Sequence, residues 1–319
     1  MGRSTKKTAR LEGEVPIFSE TEIRSEKPAS TNPLKIRQAN AERAPAQTDA
    51  KSRLIAEYLK RFQLVTKGGL YIDGFAAPQK RDRPDAWTAR RVLEINPPRL
   101  RTFWLCDMDP AGCTQLRTLR GKHHGNPRWR KVFVLEGDFN KRVVDIIRSG
   151  RIKRRTPVFA LLDQRSTECE WATVQKLAAH KGQTRIEILY FLGTSWLFRT
   201  LKVTTKADSL ARVDRWWGNE KWRDLAEMSQ LMLSITVANR FQKELGYRFA
   251  NPYPIFMNED GQRKAFVLIH ATDHPAAPKL MQAAYNAVYP DRPGSPSDSQ
   301  RPLFGGDQLP IAAGKRMRE

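Results

Sequence analysis

Four short apolar segments of this sequence each end in an aspartate. The segments read LYID, TFWLCD, VFVLEGD and PVFALLD, and they end at Asp73, Asp107, Asp138 and Asp163. Stretches whose apolar residues have helical spacing separate them, a pattern that indicates strands alternating with helices. Because the parallel strands of a doubly wound sheet end at one edge, we expect the acids to gather there, where such sheets bind ligands. The arrangement predicts a site for a nucleotide-type ligand.

Two of these acids have neighbours that suit such a ligand. Gly74 and Ala76 follow Asp73, and their small side chains would let the backbone approach a ligand closely. Asp73 itself is expected to accept a hydrogen bond from a ligand ammonium. Asp138 is expected to accept from an exocyclic adenine amine while Phe139 packs on the ring. An ordinary turn after Asp73 and a helix cap at Asp138 remain open as alternatives.

The acid after the second strand is the candidate ribose ligand. A carboxylate at the position of Asp107 typically accepts hydrogen bonds from ribose hydroxyls. Asp109 is equally well explained as the cap of a helix that begins at Pro110. The four acids together predict S-adenosylmethionine as the cofactor more specifically than any one of them does.

The segment after the fourth strand is the candidate catalytic segment. Asp163 would accept from a target amine, Gln164 would read a base edge or an amide, and Arg165 would pair with a phosphate. A buried polar turn is the alternative interpretation of these three residues. His270 and His274 lack an evident nucleophile and acid, so no catalytic triad is predicted from them.

A net charge of +22 points to a polyanionic partner. Residues 51–155 hold 25 Lys/Arg and 10 Asp/Glu, a net +15, so most of the excess lies in the first half of the predicted fold. Nucleic acid is the predicted partner, although basic runs are also common on solvated surfaces. The predicted phosphate contacts are Arg81, Arg83, Arg128, Arg130, Lys131, Arg151, Lys153, Arg154 and Arg155.

Several classes of protein are disfavoured by composition. The three cysteines, Cys106, Cys113 and Cys169, are too few and too scattered for a secreted disulfide framework. They also lack the spacing of a zinc site, so no metal is predicted. No apolar run is long enough to cross a bilayer, and the first residues lack the apolar core of a signal peptide. We therefore expect a cytoplasmic protein with no membrane partner.

The predicted elements form one α/β core with additions. Residues 1–48 and 291–319 are polar and aperiodic and are expected to be a weakly ordered leader and tail. Residues 49–195 are expected to form a Rossmann-like core and 196–250 a helical, aromatic-rich cap. Residues 251–290 would add a β-hairpin and a last helix. Five alternating strands and a hairpin predict a doubly wound, mostly parallel, seven-stranded sheet of the methyltransferase type.

Four motifs carry a resemblance to a known family. They read IDGFAAPQ at residues 72–79, GDFN at 137–140, LDQR at 162–165 and LIHATDH at 268–274. In this combination the chain resembles the three-Cys-motif partner proteins over about residues 49–289. The resemblance implies a class I methyltransferase-like fold of bacteria and mobile elements, and a separate three-Cys-motif protein as partner. Ala77 and Gln79 stand where the family pattern usually has glycine.

The leading hypothesis is a methyltransferase-like protein that acts on nucleic acid with S-adenosylmethionine. Catalysis would then consist mainly of positioning two reactants. The alternative is a non-catalytic subunit that holds nucleic acid and a partner protein and has a degenerate cofactor pocket. A magnesium nuclease built on Asp73, Asp107 and Asp163 is disfavoured, because no general-base lysine is placed among these acids by the sequence.

Overall fold

A seven-stranded sheet with helices on both faces dominates the structure. The computed structural model describes residues 45–78, 83, 86–164, 167–180, 184–194, 197, 200–201, 205–256 and 264–290. The strands are β1 (Gly69–Asp73), β2 (Leu100–Asp107), β3 (Lys131–Glu136), β4 (Val158–Leu162), β5 (Glu187–Leu192), β6 (Phe249–Phe256) and β7 (Lys264–Thr272). Their order in the sheet is β3-β2-β1-β4-β5-β7-β6, and β7 runs antiparallel to both of its neighbours.

This strand order contains one reversal of direction. The chain passes from β1 outward to β2 and β3, then returns to place β4 on the other side of β1. The helices that follow β1 and β2 therefore cover one face of the sheet, and those that follow β3 and β4 cover the other. Between β1 and β4 lies the switch point, where an open sheet of this kind leaves a crevice.

Helices cover the two faces unequally. The first face carries α1 (Pro45–Val65), α2 (Thr88–Leu93), α3 (Pro110–His123) and α8 (Ala277–Val288). The second carries α4 (Phe139–Arg148), α5 (Trp171–Ala179), α6 (Ala207–Trp217), α7 (Gln230–Lys243) and the 3₁₀ helix Glu220–Glu227. Strand residues alternate between the two apolar cores: Tyr71 packs into the first and Ile72 into the second.

The sequence predictions agree with these elements to within a few residues. Helix α1 begins at Pro45, inside the stretch predicted as a leader. Strands β1 to β4 each end at, or within two residues of, the aspartate that closes the corresponding apolar segment. The predicted hairpin forms as β6 and β7, while the segment NEDG at 258–261 between them lies outside the described residues, as do positions 1–44 and 291–319. Among the described helices, none is long and apolar enough to cross a membrane.

The predicted aromatic cap packs as core. Trp216, Trp217 and Trp222 are all buried in the apolar cluster of the second face. The indole of Trp216 donates to the Tyr190 hydroxyl at 2.7 Å. The Arg240 guanidinium lies 3.9 Å from the ring centre of Trp217. These rings therefore hold α6 and α7 against the sheet and are not exposed for base stacking.

Candidate functional site

An open cavity of about 120 Å³ lies over the carboxyl ends of the strands, at the switch point. Residues that follow β1, β2, β3 and β4 line it, and α6 closes one side. The lining residues are Gly74, Phe75, Met108, Gly137, Asp138, Phe139, Asn140, Thr167, Glu168, Glu170, Arg212 and Arg215. Of the predicted cofactor-binding residues, Gly74, Asp138 and Phe139 are among them.

Gly74 and Phe139 form one wall of the cavity together. A Cβ atom at Gly74 would lie 2.8 Å from the Phe139 ring, closer than real contacts allow. The ring of Phe75 lies 5.9 Å from that of Phe139, centre to centre. Phe139 can occupy this wall only because position 74 has no side chain.

Asp138 caps α4 and also lines the cavity. Its Oδ1 accepts from the backbone N–H of Asn140 at 2.9 Å and from the Asn140 side-chain amide at 2.9 Å. Both bonds use the same oxygen, so Oδ2 is left to face another donor. The cap that the sequence offered as an alternative is thus present, and it is compatible with ligand binding by the same side chain.

Asp107 holds backbone instead of facing the cavity. One carboxylate oxygen accepts from the N–H of Ala77 at 2.8 Å and the other from the N–H of Asp109 at 3.0 Å. The residue is 1% exposed. Asp109 caps α3 by accepting from Ala111 N–H at 3.2 Å, which confirms the cap alternative for this residue. The ribose role of Asp107 stays a prediction, and this geometry gives its carboxylate a structural one.

Ala77 packs away from the cavity. A Cβ atom at Gly112 in α3 would lie only 2.4 Å from the Ala77 Cβ, so Gly112 leaves room for the Ala77 methyl group. Ala76 is 2% exposed and does not line the cavity; its carbonyl accepts from the Trp87 indole at 2.7 Å. The methyl group of Ala77 is therefore matched by a glycine in the neighbouring helix α3.

Asp73 is a buried acid with two donors. The Tyr71 hydroxyl donates to Oδ2 at 3.0 Å and the Phe75 N–H donates to Oδ1 at 3.1 Å. Burial, and after it the nearby charge of Asp163, raise the pKa of Asp73 to about 7 against the lowering effect of the two hydrogen bonds. The Asp73 carboxyl therefore titrates near neutral pH.

Asp163 forms a buried ion pair that the motif analysis did not predict. The Lys51 ammonium lies 2.7 Å from both carboxylate oxygens, and the two residues are 2% and 6% exposed. The ammonium also lies 5.0 Å from the ring centre of Phe191 and 5.6 Å from that of Phe266. Lys51 comes three and four residues before Leu54 and Ile55, so a lysine on the apolar stripe of α1 was the available sign of a buried pair.

Gln164 faces the protein interior. Its amide oxygen accepts from the Cys169 N–H at 2.9 Å and its amide nitrogen donates to the Phe191 carbonyl at 3.3 Å. The residue is buried, and Arg165 lies outside the described residues. The prediction that Asp163 and Gln164 hold a target amine is not favoured by this arrangement, because their polar atoms already bond to protein groups.

Nine of the twelve residues that line the cavity were not predicted as site residues, and five of these nine are Thr167, Glu168, Glu170, Arg212 and Arg215. The Thr167 hydroxyl is buried, and it has no hydrogen-bond partner in the described part of the chain. The Arg215 guanidinium pairs with the Glu170 carboxylate at 3.0 Å at the rim. Glu168 and Arg212 complete this charged side. These residues come from separate segments without a shared motif, so only the fold brings them together.

The predicted phosphate contacts divide between the two ends of the sheet. Arg83 follows β1 and lies at the cavity end, while Arg81 is outside the described residues. Arg130 was predicted to contact phosphate, but its side chain is only 3% exposed and is not available at the surface. This prediction is therefore wrong. The remaining residues precede β3 or β4 and are exposed or half-buried: Arg128, Lys131, Arg151, Lys153, Arg154 and Arg155.

His270 belongs to a buried network and not to the cavity. Its Nε2 lies 3.0 Å from a Glu187 carboxylate oxygen, which also accepts from the Tyr58 hydroxyl. Thr272 donates to the other Glu187 oxygen at 3.0 Å. This network ties α1 to β5 and β7, and burial raises the pKa of Tyr58 well above its usual value. The absence of a predicted triad is consistent with this structural role.

The cysteines are buried thiols. Cys106, Cys113 and Cys169 form no disulfide among the residues described, and burial raises the pKa of Cys113 to about 11. No group of three or more metal-binding side chains occurs in the part of the chain that the structure covers.

Comparison with known proteins gives no family and no curated relative that matches this chain.

Proposed function

We propose that the cavity binds S-adenosylmethionine and that the protein transfers its methyl group to an amine of a nucleic acid. The observation that supports this most is the position of the cavity. It lies at the switch point of a sheet with order β3-β2-β1-β4-β5-β7-β6, and Asp138 and Phe139 line it. The observed sheet is seven-stranded and mostly parallel and ends in a hairpin, which agrees with the form that the sequence predicts.

The wall formed after β3 suits an adenine ring. Oδ2 of Asp138 would accept from the exocyclic amine, and Phe139 and Met108 supply apolar surface for the ring faces. The unpartnered hydroxyl of Thr167 offers a further hydrogen bond to a ligand.

The part of the wall formed by the residues after β4 and by α6 suits the amino-acid part of the cofactor. Glu168 and Glu170 carry negative charge and Arg212 and Arg215 carry positive charge. A zwitterion with an ammonium and a carboxylate matches a wall that presents both signs. Bound there, the cofactor would supply an electrophilic methyl group, and the protein would orient the acceptor nitrogen towards it.

The size of the cavity sets a condition on binding. Its volume of about 120 Å³ is below the roughly 300–1,000 Å³ of most small-molecule sites. The Arg215–Glu170 ion pair at the rim is partly exposed, and exposed pairs contribute only about 0–1 kcal/mol. We propose that this pair opens to admit the whole ligand.

A second candidate function is a non-catalytic subunit that binds nucleic acid. The ion pair between Lys51 and Asp163 favours it, because the acid predicted to hold a target amine is already neutralised. The resemblance in sequence motifs adds a three-Cys-motif protein as the proposed partner under either candidate.

The deciding experiment is a calorimetric titration with S-adenosylmethionine. Asp138→Asn keeps the helix cap, since Asn caps as well as Asp, but removes the charge that accepts the adenine amine. Asp109→Asn is the matched control, because Asp109 caps α3 in the same way and does not line the cavity. We expect binding to the wild type and to Asp109→Asn, and binding at least tenfold weaker for Asp138→Asn. No binding to the wild type would contradict the proposal and favour the second candidate.

A further inference from the structure

The end of the sheet opposite the cavity carries a row of basic residues around the starts of β2, β3 and β4. We call this the basic edge and define it by Arg99, Arg101, Arg128, Lys131, Arg151 and Lys153. They precede or begin β2, β3 and β4, which are neighbours of β1 in the sheet or of each other. Five of the six are exposed and Lys131 is half-buried.

Little negative charge offsets this row. Within the described residues none of the six forms a salt bridge. The carboxylates at this end are engaged elsewhere: Glu94 pairs with Arg90, Asp273 with Arg185, and Glu187 is buried. A one-signed surface of this kind attracts a polyanion.

An exposed tryptophan lies beside the basic residues that precede and begin β3. Trp129 is 47% exposed and lies between Arg128 and Arg130. Nucleic-acid bases stack on exposed aromatic rings of this kind.

The turn that presents Trp129 is anchored from below. The Arg130 guanidinium donates to the Leu93 carbonyl at 2.9 Å and lies 5.3 Å from the Phe103 ring centre. The backbone N–H of Gly125 donates to the Arg130 carbonyl at 2.8 Å. Arg130 is thus a positioning residue, and the side chains on either side of it in sequence, Trp129 and Lys131, are held at the edge.

We infer that the basic edge binds single-stranded nucleic acid, with phosphates on the arginines and lysines and a base stacked on Trp129. The basic edge holds a further aromatic ring, because the Arg151 guanidinium lies 4.9 Å from the ring centre of Phe133. A basic track with aromatic rings is the usual design of single-strand binding surfaces. The inference concerns a surface remote from the cavity and holds whether or not the cavity binds a cofactor.

The separation from the cavity gives this surface a distinct role. The strands between the two ends have five to eight residues, which corresponds to about 16–26 Å. A strand held at the basic edge therefore does not place the stacked base in the cavity. The basic edge is a docking site, and any base that reaches the cavity must belong to a different part of the same nucleic acid.

The test is fluorescence anisotropy with a fluorescein-labelled 16-nucleotide single strand and the full chain. Arg128→Gln/Lys153→Gln removes two proposed phosphate contacts, and the slope of log K against log salt should become less steep by about 1.4. Lys176→Gln/Lys221→Gln removes two exposed lysines elsewhere and should leave the slope unchanged. Trp129→Ala should weaken binding at least about fivefold, and Trp129→Tyr should restore most of it.

Three results would overturn the inference. They are no binding by the wild type at low salt, equal losses for both double variants, or binding to vesicles rich in phosphatidylserine without binding to the oligonucleotide. Circular dichroism of Trp129→Ala separates loss of the stacking surface from loss of fold. The titration with S-adenosylmethionine is expected to be the same for Arg128→Gln/Lys153→Gln and the wild type, so this proposal and the proposed function can fail independently.

Discussion

Replacing Asp73 by asparagine should remove a specific loss of stability at rising pH. Asp73 is 1% exposed, and burial together with the charge of Asp163 raises its pKa to about 7. In the unfolded chain the same carboxyl titrates near 3.8. Between these two values the folded protein keeps a proton that the unfolded chain has lost. Raising the pH therefore favours unfolding in this window, and the effect levels off above about pH 7.

The size of this effect follows from the shift. A difference of about three pH units corresponds to about 4 kcal/mol in the free energy of unfolding, and about 2–3 kcal/mol of it falls between pH 5 and pH 8. Asparagine has nearly the shape of aspartate, so it can still accept from the Phe75 N–H, and its amide can donate to the Tyr71 hydroxyl.

Urea unfolding at a series of pH values measures the effect. From pH 5 to pH 8 the wild type should lose about 2–3 kcal/mol relative to Asp73→Asn. The control is Asp109→Asn, which removes a carboxylate from a helix cap outside this buried cluster. It should follow the wild-type profile. Parallel profiles for the wild type and Asp73→Asn would refute the assignment of a protonated, buried Asp73.

Two further predictions concern packing around the site. Lys51→Met leaves the Asp163 carboxylate buried without its partner and should lower the free energy of unfolding by about 3–5 kcal/mol in urea titrations. Gly112→Ala places a Cβ atom 2.4 Å from that of Ala77 and should lower it by about 1–3 kcal/mol.

Second-site changes serve as the controls for both. Adding Asp163→Asn to Lys51→Met removes the uncompensated charge and should recover part of the loss, whereas a cost below about 1 kcal/mol for Lys51→Met alone would argue against a buried pair. Ala77→Gly should rescue Gly112→Ala. A rescue that fails would show that the two positions are not in contact.

Most of the fold was predictable because its signals are local. The apolar runs that form β1 to β5, the helical spacing of α1 and the Asp-Gly dipeptide at residues 260–261 each lie within a short window of sequence. The pairing of the strands is less local. The parallel neighbours β1 and β4 are 88 residues apart in their first aligned pair, Leu70 and Val158, so only the general rules for doubly wound sheets point to this pairing.

The site was predictable only where a residue directly follows a strand. Gly74, Asp138 and Phe139 were identified in this way, and they line the cavity. Lys51 is 112 residues from Asp163, and nothing in the local sequence names its partner. Burial is the other property that the motifs did not show. In sequence, Arg130 and Arg128 are both basic residues of the same run. In the structure, Arg130 is buried beneath the turn that carries Trp129 and is not on the surface.

The most direct test of the proposed cofactor site is a crystal structure of the protein with S-adenosylhomocysteine. We expect the adenine ring beside Phe139, with its exocyclic amine within hydrogen-bond distance of Asp138 Oδ2 and the Arg215–Glu170 pair opened. A ligand bound at another place, or crystals that remain free of ligand at saturating concentration, would contradict the proposal that this cavity serves methyl transfer.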